Sequence, residues 1–293
     1  MFKLNIFTSL VVVFCFASSL FVHADMRRYS GNLENSKWQL TTDARLQCEL
    51  THEIPNYGHA VFTSQASKKS NLEFELDVMR LPADYSLANI DSVPPRWSPG
   101  VPSKHITDMQ WRKQFNGDVD EKSAWVMLTE LEKGFFPTLY YTDWHNRSDR
   151  VVVALSSTNF RDSYYQFLGC MDKLLPYSFD DIAELTLNFE FGGAELDKPS
   201  KKKLAEVREY LKHDMEIESI TVKAFSDSFG GRWHNLQVSK KRATEIQQFF
   251  VDAGIEKNKI LIEGYGEKRH IASNQTELGR EENRRVIVRM VKP

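Results

Sequence analysis

Arg242 stands where the surrounding pattern has no place for a charge. At about 100° per residue, Val238, Ala243, Ile246, Phe249, Phe250 and Ala253 share an arc of roughly 140°. Lys240, Lys241, Gln247, Gln248 and Asp252 fall outside that arc. Arg242 falls inside it, about 40° from Val238. A guanidinium on an apolar face, near the expected helix start, must have an acceptor. Asp227 directly follows the strand pattern 220–225, and a loop with Gly230 and Gly231 leads from it to the helix. Strand end, glycine loop and helix start thus make a crevice with one carboxylate and one bidentate donor. Two readings stand. The two residues neutralise each other, or together they receive a zwitterion. In the second reading Arg242 forks onto a ligand carboxylate and Asp227 takes the adjacent ammonium. The free amino-acid end of diaminopimelate, in the stem peptides of peptidoglycan, carries that pair of charges.

The elements that must position this pair alternate in type. Leu185, Leu187, Phe189 and Phe191 predict a strand. Leu204, Val207 and Leu211 predict a helix face entered through Pro199. Ile220, Val222 and Ala224 give a second strand, and 238–253 a second helix stopped by Gly254. Ile260 and Ile262 mark a third strand, and Val286, Val288 and Met290 a last one. Between Tyr265 and Asn283 the chain is polar, with short loops and one helical turn expected. The order β-α-β-α-β-β predicts a small sheet covered by helices.

The same residues carry a family resemblance. Asp227, then Asn235, then Val238-Ser239-Lys240-Lys241-Arg242-Ala243 resembles the signature of OmpA-like domains, T-D, seven residues, N, x-x-L-S-x-x-R-A. Gly264-Tyr265-Gly266-Glu267 resembles that family's G-Y-G-E. Ser273-Asn274-Gln275-Thr276, Gly279-Arg280 and Asn283-Arg284-Arg285-Val286 resemble its closing S-N-x-T, G-R and N-R-R-V blocks. The resemblance covers roughly residues 183–291 and implies noncovalent binding of peptidoglycan through diaminopimelate. It makes Asp227 and Arg242 the main contacts, with Ser226 beside them and Asn235 supporting the loop. The chain departs from the pattern in places. Ala224-Phe225-Ser226-Asp227 replaces the family's G-H-T-D, Val238 replaces Leu, and Phe191-Gly192-Gly193 lacks the acid often found there. Arg284 and Arg285 are expected to form ion pairs on the sheet and not to touch ligand.

The first half has a different grammar. Leu72, Phe74, Leu76 and Val78 alternate with Glu73, Glu75 and Asp77, a strand with one wet face. Further strands are expected at 60–63, 124–129, 139–142 and 151–155. The segment 81–102, with Pro82, Pro94, Pro95, Pro99 and Pro102, reads as a long loop. Tyr164, Phe167, Leu168, Met171 and Leu175 fit one helix face, which also bears Cys170. The fold class is therefore α+β, a mainly β domain with a C-terminal helix over 25–175 followed by the OmpA-like unit over 176–293.

Residues 1–24 read as a secretory signal peptide. Lys3 precedes the apolar run 6–17, and Val22, His23 and Ala24 end in a small-residue cleavage site. Cleavage is expected after Ala24, the rival being an uncleaved anchor. Cys15 leaves with the signal, so Cys48 and Cys170 remain, an even number in an exported chain. A disulfide between them is the expectation, and two separate buried thiols the rival. The chain of 293 residues has a formal net charge of −2 and no basic patch, which argues against nucleic acid as a partner.

No His-Glu-x-x-His, nucleophile elbow or phosphate loop is present, so no enzyme, cofactor or metal is expected. Asp143, His145 and Asp149 read more simply as a polar turn than as metal ligands. Trp97, Trp111, Trp125 and Trp144 are either core or an exposed protein-binding patch. Signal, β-rich domain with two cysteines, OmpA-like end, total length and the opening Met26-Arg27-Arg28-Tyr29-Ser30-Gly31 together resemble the MotY-like family of the sodium-driven polar flagellar motor. That resemblance implies a periplasmic ring around the basal body. The first half would bind a MotX-like partner and the basal body, the second would anchor to peptidoglycan, and the ring would support assembly of the stator complex. A general OmpA-like tether associated with the outer membrane is the alternative. Two others also stand, an outer-membrane barrel and a wall hydrolase.

Overall fold

The computed structural model describes residues 26–190 and 195–293. The signal peptide with its cleavage site and the stretch Phe191-Gly192-Gly193 therefore lie outside the described residues.

In the first half, one sheet joins β2 (Trp38–Asp43), β3 (Gln47–Ile54), β4 (Gly58–Gln65), β5 (Glu73–Val78) and β8 (Gly117–Val119) in that order. The other has the order β1 (Met26–Ser30), β10 (Arg150–Ala154), β9 (Phe136–Thr142), β6 (Ser86–Val93) and β7 (Lys104–Trp111). Every pairing is antiparallel except β1 on β10. Alternate residues of both sheets and the inner faces of α1 (Glu121–Glu132) and α2 (Phe160–Met171) share one core. These are two open sheets with strands of three to eight residues, shorter than the about 9–11 a membrane barrel needs. Among the described residues no helix is long and apolar enough to cross a membrane.

Two expectations fail here. The stretch 124–129 is not a strand but the middle of α1. Its buried residues Ser123, Ala124, Met127, Leu128 and Leu131 recur at helical spacing, and Asp120 caps the start by accepting from the Ser123 N–H. The segment 81–102 is not one loop, because β6 runs through it. Its inward positions, Ala88, Ile90 and Ser92, are small or flanked by polar residues, so the alternation is faint between the prolines. The tryptophans divide. Trp111 is buried against Trp144 and Tyr141, Trp125 is partly buried, and Trp97 is 72% exposed. Asp143 and Asp149 both accept from Arg27, at 3.0 and 2.7 Å, and so fasten β1 to the turn that follows β9.

Cys48 on β3 and Cys170 on α2 are disulfide-bonded, with Cα atoms 6.0 Å apart. The bridge encloses a loop of 122 residues, from β3 to α2. Farther along β3, buried His52 stacks on Trp38 with ring centroids 4.4 Å apart. Its Nδ1 donates to the Lys37 carbonyl and its Nε2 accepts from the Ser156 N–H. Burial pushes the His52 imidazole down to about 4.

The chain passes to the second half through α3 (Phe179–Ile182), which opens with a Ser178–Asp181 capping box. Lys68 reaches Asp181 from the first half at 2.8 Å, and its hydrogen bond holds that carboxyl down to about 2. The Leu175 N–H donates to the Arg45 carbonyl, and Ala66 joins the second core. That core lies under a four-stranded sheet ordered β11 (Glu184–Asn188), β14 (Arg285–Val291), β12 (Ser219–Ala224), β13 (Ile260–Gly264). Helix α4 (Lys198–Leu211) packs on β11 and α5 (Arg232–Asp252) on β12 and β13. The latter two strands are parallel, with α5 as their crossover. The expected turn of helix before the last strand is α6 (Glu277–Asn283).

Candidate functional site

The site forms where β12 ends and α5 begins, with Arg284 at the end of α6 reaching Asp227. Helix α5 starts at Arg232, with Gly231 as its N-cap, six residues earlier than its apolar pattern indicates. Arg242 therefore sits in the third turn and not near the start. The reason is legible in the burial. The early turns bury Asn235, Ser239 and Arg242, and only later do Ala243, Ile246 and Phe250 take over. That polar stripe keeps helical spacing but carries no apolar signal.

Each polar residue of the stripe is committed. The Ser239 hydroxyl donates to the Leu236 carbonyl and accepts from the Gly266 N–H at 2.9 Å. The Gly266 carbonyl accepts from the Ser226 N–H at 2.8 Å. Gly266 has φ +61°, and a Cβ there would lie 3.1 Å from the Leu236 nitrogen. This glycine lets the loop after β13 fit between α5 and β12. The Asn235 amide donates to Glu267, which also accepts from Arg232 at 3.0 Å. These two donors hold the Glu267 carboxyl below the usual carboxylate range.

Asp227 and Arg242 are both buried, at 8% and 3% exposure. The Arg242 guanidinium donates to the Phe225 carbonyl and lies 4.4 Å over the Phe189 ring. Burial and neighbouring Arg284 push it down to about 10, against the opposing pull of Asp227, so it stays charged at neutral pH. Asp227 ion-pairs with Arg284 at 3.0 Å and accepts from the Phe229 N–H at 3.0 Å. Its direct ion pair is thus with the arginine expected to serve only the sheet, and not with Arg242. Arg284 extends its other nitrogen to Glu277 at 3.2 Å. It sits 57 positions from Asp227, a separation no local pattern reports.

Ser226 lies beside the pair and is also buried, and its hydroxyl has no hydrogen-bond partner among the described residues. Buried hydroxyls are ordinarily satisfied. Asn274 accepts from the Ser228 N–H, and Asn283 fastens the loop through the N–H groups of Ile271 and Ala272. Arg285, Phe225, Tyr265 and Arg269 form a four-layer stack that ties β12 and β14 to the loop after β13. The outer guanidiniums lie 4.1 and 4.6 Å from their rings, and the two rings are 5.1 Å apart.

Sequence reasoning also passed over Phe229 and Trp233, which are 77% and 75% exposed on either side of Gly230 and Gly231. Their signal was the Ser228-Phe229-Gly230-Gly231-Arg232-Trp233 loop itself, which places aromatic rings where a turn is otherwise polar.

Comparison with known proteins covers both halves. Residues 29–176 match the profile of the MotY N-terminal domain, and residues 188–284 match that of the OmpA family. The chain is similar to the sodium-type flagellar protein MotY of Vibrio parahaemolyticus, with 40% identity over 262 residues, covering 89% of each chain. It is also similar to outer membrane protein A of Bordetella avium, with 34% identity over 103 residues, 35% of this chain and 53% of that one. Among solved structures, the peptidoglycan-associated lipoprotein from Burkholderia pseudomallei covers 36% of this chain at 20% identity and TM-score 0.33, with 89% of its own length matched. The periplasmic domain of Helicobacter pylori MotB covers 37% at 19% identity and TM-score 0.31, with 73% of its own length matched.

Proposed function

The chain belongs to the MotY family, and from that premise we propose that it is a periplasmic, non-catalytic anchor of the flagellar motor whose second half grips peptidoglycan. The observation that carries the proposal is a pair of buried opposite charges, Asp227 and Arg242, set on different elements and close enough for the charge of Asp227 to act on Arg242. Asp227 makes its direct ion pair to Arg284. Arg242 forks onto the carboxylate at the free end of diaminopimelate, and Asp227 takes the ammonium beside it. An ionised carboxylate accepts at about four sites. Arg284 and the Phe229 N–H occupy two of them, which leaves room for the ligand. The Ser226 hydroxyl gains a partner when the ligand enters. Asn235 makes no ligand contact in this scheme and holds the loop through Glu267.

The working division at Pro176 is part of the same proposal. The first half binds a MotX-like partner and the basal body, so that the assembled ring links the basal body to the wall and supports the stator complex. The reading of residues 1–24 as an export signal supports a periplasmic location.

Co-sedimentation of purified residues 25–293 with insoluble peptidoglycan tests the grip. Wild type should pellet, and folded Asp227→Ala and Arg242→Ala should stay soluble. If all three pellet alike, the charged pair is structural and the wall contact lies elsewhere. Loss of motility on deletion, restored by wild type but not by Arg242→Ala, supports the motor role over that of a general wall tether.

A further inference from the structure

Two surfaces of opposite charge lie on different halves of the chain. The first is the outer face of the sheet β2-β3-β4-β5-β8. Glu73, Glu75 and Asp77 alternate outward along β5, while Phe74, Leu76 and Val78 face the core. Register sets Glu49 in one row with Thr63 and Glu73, and places Asp118 of β8 directly opposite Glu75. These five carboxylates line one shallow concavity of about 570 Å³. Like charges directly opposite on adjacent strands cost stability, and little inside the fold offsets that cost. Arg112 pairs with Asp118, and the Asn116 amide donates to Glu75 and Asp77. Asp77 otherwise meets only His59, at 3.9 Å, and Glu49, Glu73 and Glu75 have no ion pair among the described residues.

The second surface is a stripe on α4. At about 100° per residue, Lys198, Lys201, Ala205, Arg208 and Lys212 share an arc of about 80°, and all five are exposed. Leu204, Val207 and Leu211 turn to the core instead. Lys201, Arg208 and Lys212 line a groove of about 440 Å³ whose far wall is Phe249 of α5. Arg208 lies 4.8 Å over that ring. This stripe also runs against local preference. Lys198 and Lys201 stand near the helix start, where the dipole disfavours cations, and the first turn holds no acid. Arg208 and Lys212 are like charges four residues apart. Glu209 and Glu195 offset Lys212 and Lys201, at 2.7 and 3.6 Å. Lys198 and Arg208 make no ion pair among the described residues.

We propose that these two surfaces recognise each other between copies of this chain, with α4 of one copy lying across the acidic sheet face of the next. The inference is independent of the zwitterion reading of Asp227 and Arg242. Each surface is lined by residues of one half only, so the pairing is not made within a chain. Both signs reside on the same molecule, which names a second copy as the occupant. The sizes match. Lys198 to Lys212 spans about 21 Å of helix. Glu73 to Asp77 spans about 13 Å along the strand, and the three strand spacings from β3 to β8 about 14 Å, giving a diagonal of about 19 Å. Complementary potentials steer such an encounter and fix its register. Because the two surfaces differ, the contact is head to tail. Each copy then keeps one surface open for a further copy.

Sedimentation velocity on residues 25–293 reads the association, with every variant checked for folding by circular dichroism. Wild type should self-associate at low salt with a Kd on the order of 10 μM. It should dissociate at about 1 M salt, where the Debye length falls to about 3 Å. Glu73→Lys with Glu75→Lys, and separately Lys201→Glu with Arg208→Glu, should each weaken association by at least about tenfold, since like charges then face each other. A mixture of the two variants should associate again, because one keeps the basic stripe and the other the acidic face. A misfolded variant could not be rescued in this way. Wild type that stays monomeric at about 100 μM in low salt, tenfold above the expected Kd, overturns the proposal. So does association that survives either charge reversal, or a mixture that stays monomeric. Monomeric wild type that binds a lysine-rich peptide through Glu73 and Glu75 assigns the sheet face to a different cationic partner and equally overturns it.

Discussion

The pairing of Asp227 with Arg284 can be separated from any role of Asp227 toward ligand by a double-mutant cycle. The two side chains are 12% and 6% exposed, with their charged atoms 3.0 Å apart. At an effective dielectric near 20, unit charges about 4 Å apart attract by about 4 kcal/mol. Desolvation of both offsets most of that, but removing one partner leaves the other buried, which costs about 3–5 kcal/mol. Asp227→Asn should fall at the lower end, about 3 kcal/mol, because Arg284 keeps Glu277. Arg284→Met should cost about 4 kcal/mol, because Asp227 then keeps only the Phe229 N–H among these partners. The double variant should be less destabilised than the sum of the two by about 2 kcal/mol, within the range for residues in direct contact. Hydrogen exchange of the β12 and β14 amides reads these values locally, without requiring both halves to unfold together. Peptidoglycan pelleting on the same variants completes the cycle. Asp227→Asn should abolish it and Arg284→Met should only weaken it. Single variants costing less than about 0.5 kcal/mol each, or effects additive within about 0.5 kcal/mol, would refute the reasoning.

Cys48→Ser with Cys170→Ser should destabilise the first half by up to about 5 kcal/mol, from the loop of 122 residues that the bridge closes. An unchanged urea midpoint would contradict this. His52 gives a pH dependence of definite sign. Its neutral form is favoured in the fold while the unfolded chain protonates near 6.5, so stability should fall as pH drops from 6.5 to about 4. The loss should be about 3 kcal/mol, and His52→Gln should flatten that part of the profile. Gly279→Ala should open the loop over α6, since a Cβ there would meet the Ser273 carbonyl oxygen at 2.0 Å. A cost of about 2 kcal/mol and weaker peptidoglycan pelleting are expected, and wild-type behaviour in both assays would refute the geometry.

The strands with one wet face were legible, because alternation in β5 is a direct record of which side meets the core. So were the glycines of the second half and the inward position of Arg242 on α5, where type and spacing coincide. Helix α1 was mistaken for a strand because apolar Trp125 and Val126 fill out its buried face into a continuous run. Helix α5 began early because its first turns bury a polar stripe that mimics a loop. The ion pair of Asp227 was out of reach for another reason. Its partner comes from the end of α6, and only the antiparallel seating of β14 beside β12 brings the two together. Similarly, β1 joins β10 in parallel across most of the first half, and nothing in its five residues announces that neighbour.

The strand order of the second sheet also fixes how the proposed anchor carries mechanical load. β11 and β12 run in the same direction, each antiparallel to β14 between them. The chain arrives from the first half at Glu184, the start of β11, while the proposed ligand site lies past Ala224, the end of β12. Tension between the two therefore pulls along the strands from opposite ends of the sheet. The ladder from Glu184–Arg289 to Asn188–Arg285, and the one from Ser219–Val291 to Ala224–Val286, are loaded in shear. Their hydrogen bonds must yield together and not one after another, so the sheet resists a sustained pull far better than the same bonds would if peeled.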